Sequence, residues 1–294
     1  MNLTKPLIQR DNEIFKLPDG RQLGYARYGN PDGQPVLFFH GIPGSRLQRN
    51  PDLSVLNELS ICVYALDRPG TGLSSYQRHR TLLDWPKDVQ VFCDHLGIDQ
   101  FSCIGISSGG PYALACAYRL SDRIRRLAIV SSLAPLDQPE LFDQLDPKMK
   151  RLFRFARRSP ALMNIVAGAL FRVFKSRFDV AFEKLVADLP AHDKKLLTEP
   201  MIAAMFKQDV GQAFRQGSRG VVSDMRILSR PWGFDLSAVE MPVQVWHGTA
   251  DTIVPLRLAQ FNLEKLPQAR AHYVEGAGHF MAIEKAREIF SQLV

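Results

Sequence analysis

The chain predicts an α/β fold on a mostly parallel sheet, and three observations carry that expectation. Short, nearly continuous apolar runs recur along the sequence, as strands covered on both faces do. Helical patterns separate them. The strand rhythm then stops for about a hundred residues and resumes, so a helical insertion interrupts one sheet.

Taken in order, Glu13 to Tyr28 reads as strand, Pro18-Asp19-Gly20 turn and strand, a β-hairpin signature. The turn cluster Asn30-Pro31-Asp32-Gly33 leads into Val36-Leu37-Phe38-Phe39, followed by Ile61 to Leu66, Phe101 to Ile106 and Leu127 to Val130. One intervening helix is well marked: Asp84 is placed to cap it, Pro86 sits in its first turn and Gly97 ends it. Another, Pro111 to Leu120, is apolar almost all round, as expected of a helix packed deep against a sheet. From about Pro135 to Asp235 no strand run is found; the stretch is helical in pattern, rich in Phe and Arg, and broken at Pro160, Pro190 and Pro200. Strands return at Val243-Gln244-Val245-Trp246 and Ala271-His272-Tyr273-Val274, and a helix from about Met281 closes the chain. The expectation is eight strands, with residues 1–135 and 236–294 forming the α/β core and 136–235 the helical insertion.

Composition narrows the function classes. No run approaches the ~18 apolar residues that a membrane span needs. Met1-Asn2-Leu3-Thr4-Lys5-Pro6 has no apolar h-region, so no signal peptide is expected. Cys62, Cys93, Cys103 and Cys116 lie in apolar runs without Cys-x-x-Cys or metal spacing, which points to free buried thiols and a reducing cytoplasm. The net charge is +7, yet there is no block of like charges, no zinc-finger spacing and no basic stretch interleaved with stacking aromatics. Nucleic-acid binding is not expected.

The strongest chemical signal is Gly105-Ile106-Ser107-Ser108-Gly109, a G-x-S-x-G pentapeptide after an apolar strand and before an apolar helix. A serine on so sharp a turn must hold a strained backbone, and the flanking glycines let strand and helix approach. A serine hydroxyl needs a base to act as a nucleophile. Of seven histidines, His79 and His192 sit in polar stretches and read as solvated, His95 lies in a helix and His272 in a strand. His279 lies in the glycine-loosened loop Glu275-Gly276-Ala277-Gly278-His279-Phe280, after the last strand, where a side chain can reach Ser107.

Asp251, in the loop after the penultimate strand, is the candidate acid that would orient the imidazole. Its plain alternative is a helix N-cap, and Asp137, just past the strand ending near Ser131, is the rival acid. An oxyanion hole needs two convergent backbone N–H groups. Ser108, after the nucleophile, offers one; the loop His40-Gly41-Ile42-Pro43-Gly44 offers the other through Ile42. His40 reads as a buttress of that loop rather than as a base. Gly41, Gly105 and Gly109 complete the support.

Together these stretches resemble the α/β-hydrolase superfamily over residues 13–135 and 240–294. Four motifs fall in the family's order: His40 to Gly44, Asp67-Arg68-Pro69-Gly70-Thr71-Gly72-Leu73-Ser74, the elbow at Ser107, and the Asp251 and His279 loops. The resemblance implies an α/β-hydrolase fold with a mostly parallel eight-stranded sheet, and identifies the insertion with the lid this family places after its sixth strand. The Asp67 to Ser74 stretch then belongs to loop architecture. Epoxide hydrolases and haloalkane dehalogenases of this fold carry an aspartate where this chain has Ser107, so their chemistry is not expected.

The expected function is hydrolysis of carboxylic or thio esters through an acyl-enzyme, with no metal or organic cofactor. C–C bond hydrolysis or cofactor-free perhydrolysis on the same three residues are the alternatives, and a non-catalytic ligand receptor is the alternative of another class. Between Asp137 and Asp235 there are 17 Lys and Arg against 12 Asp and Glu, most of the chain's positive excess. Lys148 to Phe178 alternates Leu152, Phe153, Phe155, Leu170, Phe171 and Phe174 with Arg151, Arg154, Arg157, Arg158, Arg172 and Arg177. Such a lid is either an amphipathic cover with solvated charges or one that touches anionic lipid or guides anionic acyl substrates.

Overall fold

The computed structural model describes residues 7–294; the reading of Met1 to Pro6 lies outside them. The strands are β1 (Ile8–Lys16), β2 (Gln22–Gly29), β3 (Gln34–Phe39), β4 (Ile61–Leu66), β5 (Phe101–Ile106), β6 (Ile124–Val130), β7 (Val243–Gly248) and β8 (Ala269–Val274). They form one sheet in the order β1-β2-β4-β3-β5-β6-β7-β8. Strands β1 and β2 pair antiparallel, β2 runs antiparallel to β4, and every later pairing is parallel.

Around the sheet lie α1 (Ser54–Glu58), α2 (Trp85–His95), α3 (Gly110–Arg119), α11 (Leu256–Lys265) and α12 (Ala286–Ser291). Between β6 and β7 come α4 (Pro139–Phe142), α5 (Pro147–Arg158), α6 (Pro160–Ser176), α7 (Phe178–Ala187), α8 (Ala191–Leu197), α9 (Pro200–Ala213) and α10 (Arg219–Leu228). The prolines that break the helical pattern are starts rather than interruptions: Pro160 and Pro200 open α6 and α9, and Pro190 precedes α8. The fixed φ of proline suits a first turn, and its missing N–H is not needed there.

Two details depart from expectation. Asp84 does not cap α2. It ends a 3₁₀ turn, Leu82–Asp84, and its carboxylate accepts from Thr81 N and Oγ, both at 2.9 Å, and from Lys87 Nζ at 3.0 Å. The last helix begins at Ala286 and not near Met281, because Met281 to Lys285 form turns.

Alternation along the strands divides the core between two faces. Leu37 and Phe39 join α2 and α3 on one side, while Val36 and Phe38 join α1 and α12 on the other. The inserted helices do not stand apart from this. Phe153 of α5, Met163 of α6 and Met225 of α10 belong to the same buried cluster as Trp85 and Tyr112. Helices α7 to α9 build a smaller cluster of their own around Phe178, Phe182 and Leu197.

Parallel register brings the functional loops to one edge. Phe39 lies opposite Gly105, Ile106 opposite Val130, Val130 opposite Trp246, and Gly248 opposite Val274. The segments holding residues 40–44, 107–109, 131–137, 249–255 and 275–280 therefore all leave the carboxyl ends of strands, where open α/β sheets place their ligands.

Candidate active site

Ser107 sits at the turn from β5 into α3 with φ of +55°. A residue with a Cβ rarely holds this conformation, and it persists only where the surroundings fix it. Here they do. A Cβ on Gly105 would come within 2.5 Å of Gly109 O, and one on Gly109 within 2.1 Å of Phe39 O, so both close approaches demand glycine. The turn presents Ser107 to a cavity of about 540 Å³ that Ile42, Ser108 and His279 also line. Much of the wall is apolar, with Leu152, Met205, Phe206 and Phe280. The Ser108 N–H lies in the first turn of a helical stretch and has no intrahelical acceptor. The Gly41 N–H donates to Gln48 Oε1 at 2.6 Å, so within this loop the amide left for the cavity is that of Ile42.

The structure brings Asp251 and His279 into direct contact: His279 Nδ1–H donates to Asp251 Oδ2 at 2.8 Å. This bond fixes the tautomer and leaves Nε2 as the basic nitrogen. Asp251 Oδ1 accepts from Ile253 N at 2.9 Å and Val254 N at 2.8 Å. Asp251 is not a helix N-cap, since α11 begins at Leu256 after Pro255; one of its oxygens closes a turn and the other meets the imidazole. Burial pushes the Asp251 carboxyl up, but the His279 ring and these donors outweigh it and hold it below the usual carboxylate value. Burial likewise pushes His279 down, and the Asp251 carboxylate with Asp193 more than reverses this, so the imidazole titrates above its ordinary value.

Ser107 and His279 face the same cavity without forming a hydrogen bond to each other. In unliganded enzymes the hydrogen bond between a nucleophile and its base is often long. Asp137 is not at the site; it borders a separate hollow with Trp232 and Phe234.

His40 is fully buried. Its Nδ1–H donates to Gly41 O at 2.8 Å and its Nε2 accepts from Arg68 N at 3.4 Å. Burial, reinforced by the Arg68 charge, holds its pKa well below the ordinary histidine value. Arg68 is the larger support: its guanidinium donates to His40 O, and to Gly41 O at 2.9 Å, while Nε meets Asp224 Oδ2 at 2.7 Å. Asp224, on α10, also accepts from Arg80 and from Tyr112 Oη at 2.8 Å. With two guanidiniums beside it, its carboxyl drops to about 2 despite burial. Asp67 takes a structural part, accepting from Arg46 N at 2.7 Å, Arg46 Nη1 at 2.9 Å and Leu73 N at 2.8 Å.

Several neighbours give no sign of themselves in the sequence. His247 is buried behind Asp251, its Nε2–H donating to Val254 O at 2.9 Å. Three carboxylates of the inserted helices are buried, Asp193, Asp209 and Asp224, and each meets a different loop. Asp209 of α9 accepts from Ser45 N and Oγ, both at 2.7 Å, and lines the cavity. Asp193 of α8 accepts from the backbone N–H of His279 and Phe280. His192, expected to be solvated, is half-buried and bonds Glu284 Oε2 through Nε2 at 2.9 Å, because α8 packs onto the His279 loop. His79 is exposed, as expected.

A family profile described as alpha/beta hydrolase fold matches residues 34–286. The chain belongs to the α/β-hydrolase family and is an enzyme of that class. Over 276 residues it is 25% identical to the 2-hydroxymuconate semialdehyde hydrolase of Pseudomonas putida, with 90% of this chain and 86% of the relative covered. It is 24% identical over 287 residues to a non-heme haloperoxidase of Rhodococcus erythropolis, covering 94% and 96%. Among solved structures, a carboxylesterase of the ammonia-oxidizing thaumarchaeon Nitrososphaera gargenis superposes with a TM-score of 0.70 at 20% identity over 95% of each chain. That likeness is one of fold.

Proposed function

We propose that the chain is a serine hydrolase of carboxylic or thio esters, with Ser107 as nucleophile, His279 as base and Asp251 as orienting acid. The observation that carries this reading is the strained Ser107 turn facing the same cavity as an imidazole whose other nitrogen is held by a buried carboxylate. His279 Nε2 takes the hydroxyl proton as Ser107 Oγ attacks the acyl carbon, and Asp251 stabilises the imidazolium. The amides of Ile42 and Ser108 receive the oxyanion. The imidazolium then protonates the leaving alkoxide or thiolate, and water repeats the sequence to release the acid.

The cavity's charges favour an uncharged acyl substrate. Its charged wall includes Asp52, Asp146 and Asp188, while its cations, Arg49 and Lys148, are already paired with Asp11 at 2.6 Å and Asp188 at 3.1 Å. A substrate carboxylate would meet acidic neighbours and no unpaired Lys or Arg among the described lining residues. This weighs against guidance of anionic acyl groups and against the C–C hydrolase alternative, whose relatives include one named for a heptadienoate.

Residues 136–235 act as the lid in this reading. Their outward face on α6 carries Leu162, Ile165, Leu170 and Val173, 52–68% exposed, near the exposed Arg172 and Lys175, a pattern suited to weak contact with anionic lipid. Four free, buried cysteines fit a cytoplasmic location. The test is Ser107→Ala. It should lose p-nitrophenyl ester turnover and labelling by a fluorophosphonate probe, and a variant as fast as wild type would defeat the proposal.

A further inference from the structure

Asp193 has no exposed surface and no lysine or arginine partner among the described residues. Its Oδ2 accepts from His279 N at 2.7 Å and its Oδ1 from Phe280 N at 3.1 Å. His192 Nδ1 lies 3.4 Å from Oδ1 and is the nearest group able to carry positive charge. The fit at Gly278 is close: a Cβ there would come within 2.2 Å of Asp193 Oδ2.

A buried carboxylate without a cation is a costly way to fasten a helix. Apolar contacts such as Phe206 against Phe280 already join the inserted helices to this loop. What a carboxylate adds is two acceptors for two successive backbone N–H groups and a negative charge beside the imidazole. Because the two donors meet different oxygens, an asparagine would turn its NH2 toward one of them.

We propose that Asp193 is a positioning residue for His279, through which helix α8 holds the histidine in reach of Ser107 and favours the imidazolium formed during attack. The inference rests on the reading of His279 as the base. Asp251 orients the ring from β7's loop by its side chain, and Asp193 orients the same residue from the insertion by its backbone. Other titratable groups near the His279 loop among the described residues are His247 behind Asp251, His192 with Glu284 on the α8 side, and Asp209 across the shared cavity. Burial disfavours the charged ring; Asp251 and then Asp193 oppose it. Helix α8 docked on the loop is therefore part of the working base, and displacing it withdraws both the anchor and the charge.

The test compares wild type with Asp193→Asn and Asp193→Glu in the full chain. Ester turnover is followed against pH, and the His279 imidazole resonance is titrated by NMR. In Asp193→Asn, kcat should fall between about 10- and 100-fold, the loss expected from a small misplacement of a reacting group, with KM held. The acid limb and the His279 resonance should both move to lower pH. Asp193→Glu keeps the charge, so it should retain the wild-type acid limb while losing kcat through the displaced amide. A folded Asp193→Asn with an unmoved acid limb, or one that changes KM alone, overturns the inference. Should Asp193→Asn not fold, the Glu variant decides: an acid limb shifted to lower pH, or unchanged kcat, overturns it. An active wild type with these negative results sinks Asp193 alone, whereas a wild type inert to esters and unlabelled at Ser107 sinks both readings.

Discussion

Asp209 offers the sharpest quantitative test, because its environment sets a stability cost that pH can switch on. The carboxylate is 3% exposed, and burial, against the two Ser45 hydrogen bonds, lifts its pKa from 3.8 to about 7. The native state thus holds this proton longer than the unfolded chain does, so the wild type loses stability as pH rises from about 3.8 towards 7 and levels off above. With one unit equal to about 1.36 kcal/mol, the cost is about 2 kcal/mol at pH 5 and about 4 kcal/mol at pH 8.5. Asp209→Asn removes the titration, and its amide oxygen can still accept from Ser45 N and Oγ. The variant should therefore gain on wild type by roughly 2–3 kcal/mol between pH 5 and pH 8.5, or about 5 °C in melting midpoint at about 2 °C per kcal/mol for a chain of this size. Paired thermal melts at the two pH values read this directly, since titrations common to both proteins cancel. A gap that stays constant from pH 5 to pH 8.5, or that narrows, would show that Asp209 is ionised throughout and refute the reasoning.

Three further outcomes follow from the same geometry. Asp251→Asn should lower kcat by about 10⁴-fold, because an amide can stabilise the wrong imidazole tautomer; steady-state ester kinetics check this, and a loss under tenfold would remove Asp251 from the mechanism. Arg68→Met leaves Asp224 with one guanidinium in place of two and frees the carbonyls of His40 and Gly41. It should destabilise the protein by about 3–5 kcal/mol in urea unfolding, and a near-neutral effect would mean that Arg80 and Tyr112 suffice. Vesicles rich in anionic lipid should retain the protein at low salt and release it as salt rises, with Ile165→Glu and Val173→Glu weakening retention. No retention at low salt would leave the exposed face of α6 without a lipid role.

Much of the fold could be read from local pattern alone. Runs such as Ile61 to Leu66 and Phe101 to Ile106 are apolar along their length because both faces of a parallel strand are covered, and that constraint is written residue by residue. Ser107 was legible for a related reason. Its strained turn requires glycine two residues before and after, so chemistry and backbone leave a joint mark in five consecutive letters. Asp251 and His279 were singled out by their place after strands, and the 2.8 Å contact between them follows from the register that brings those loop starts to one edge.

The departures have a common cause. Asp84 sits where a cap for α2 is expected, yet a preceding 3₁₀ turn claims its carboxylate, a competition between two local structures that the letters leave open. His192 and Asp193 stand in the polar stretch Ala191-His192-Asp193-Lys194-Lys195, which by itself describes a solvated helix face. Only the docking of α8 onto the His279 loop turns Asp193 inward and buries it.

By itself the sequence determined the strands, the elbow and the loops that carry Ser107, Asp251 and His279, because each depends on neighbours within a few residues. The tertiary structure alone decided which carboxylates of the inserted helices are buried and what they hold: Asp193 the His279 backbone, Asp209 the Ser45 loop, Asp224 the arginine that grips His40 and Gly41. A carboxylate acquires such a role from donors far away along the chain, and no local pattern encodes the partners that burial will leave it.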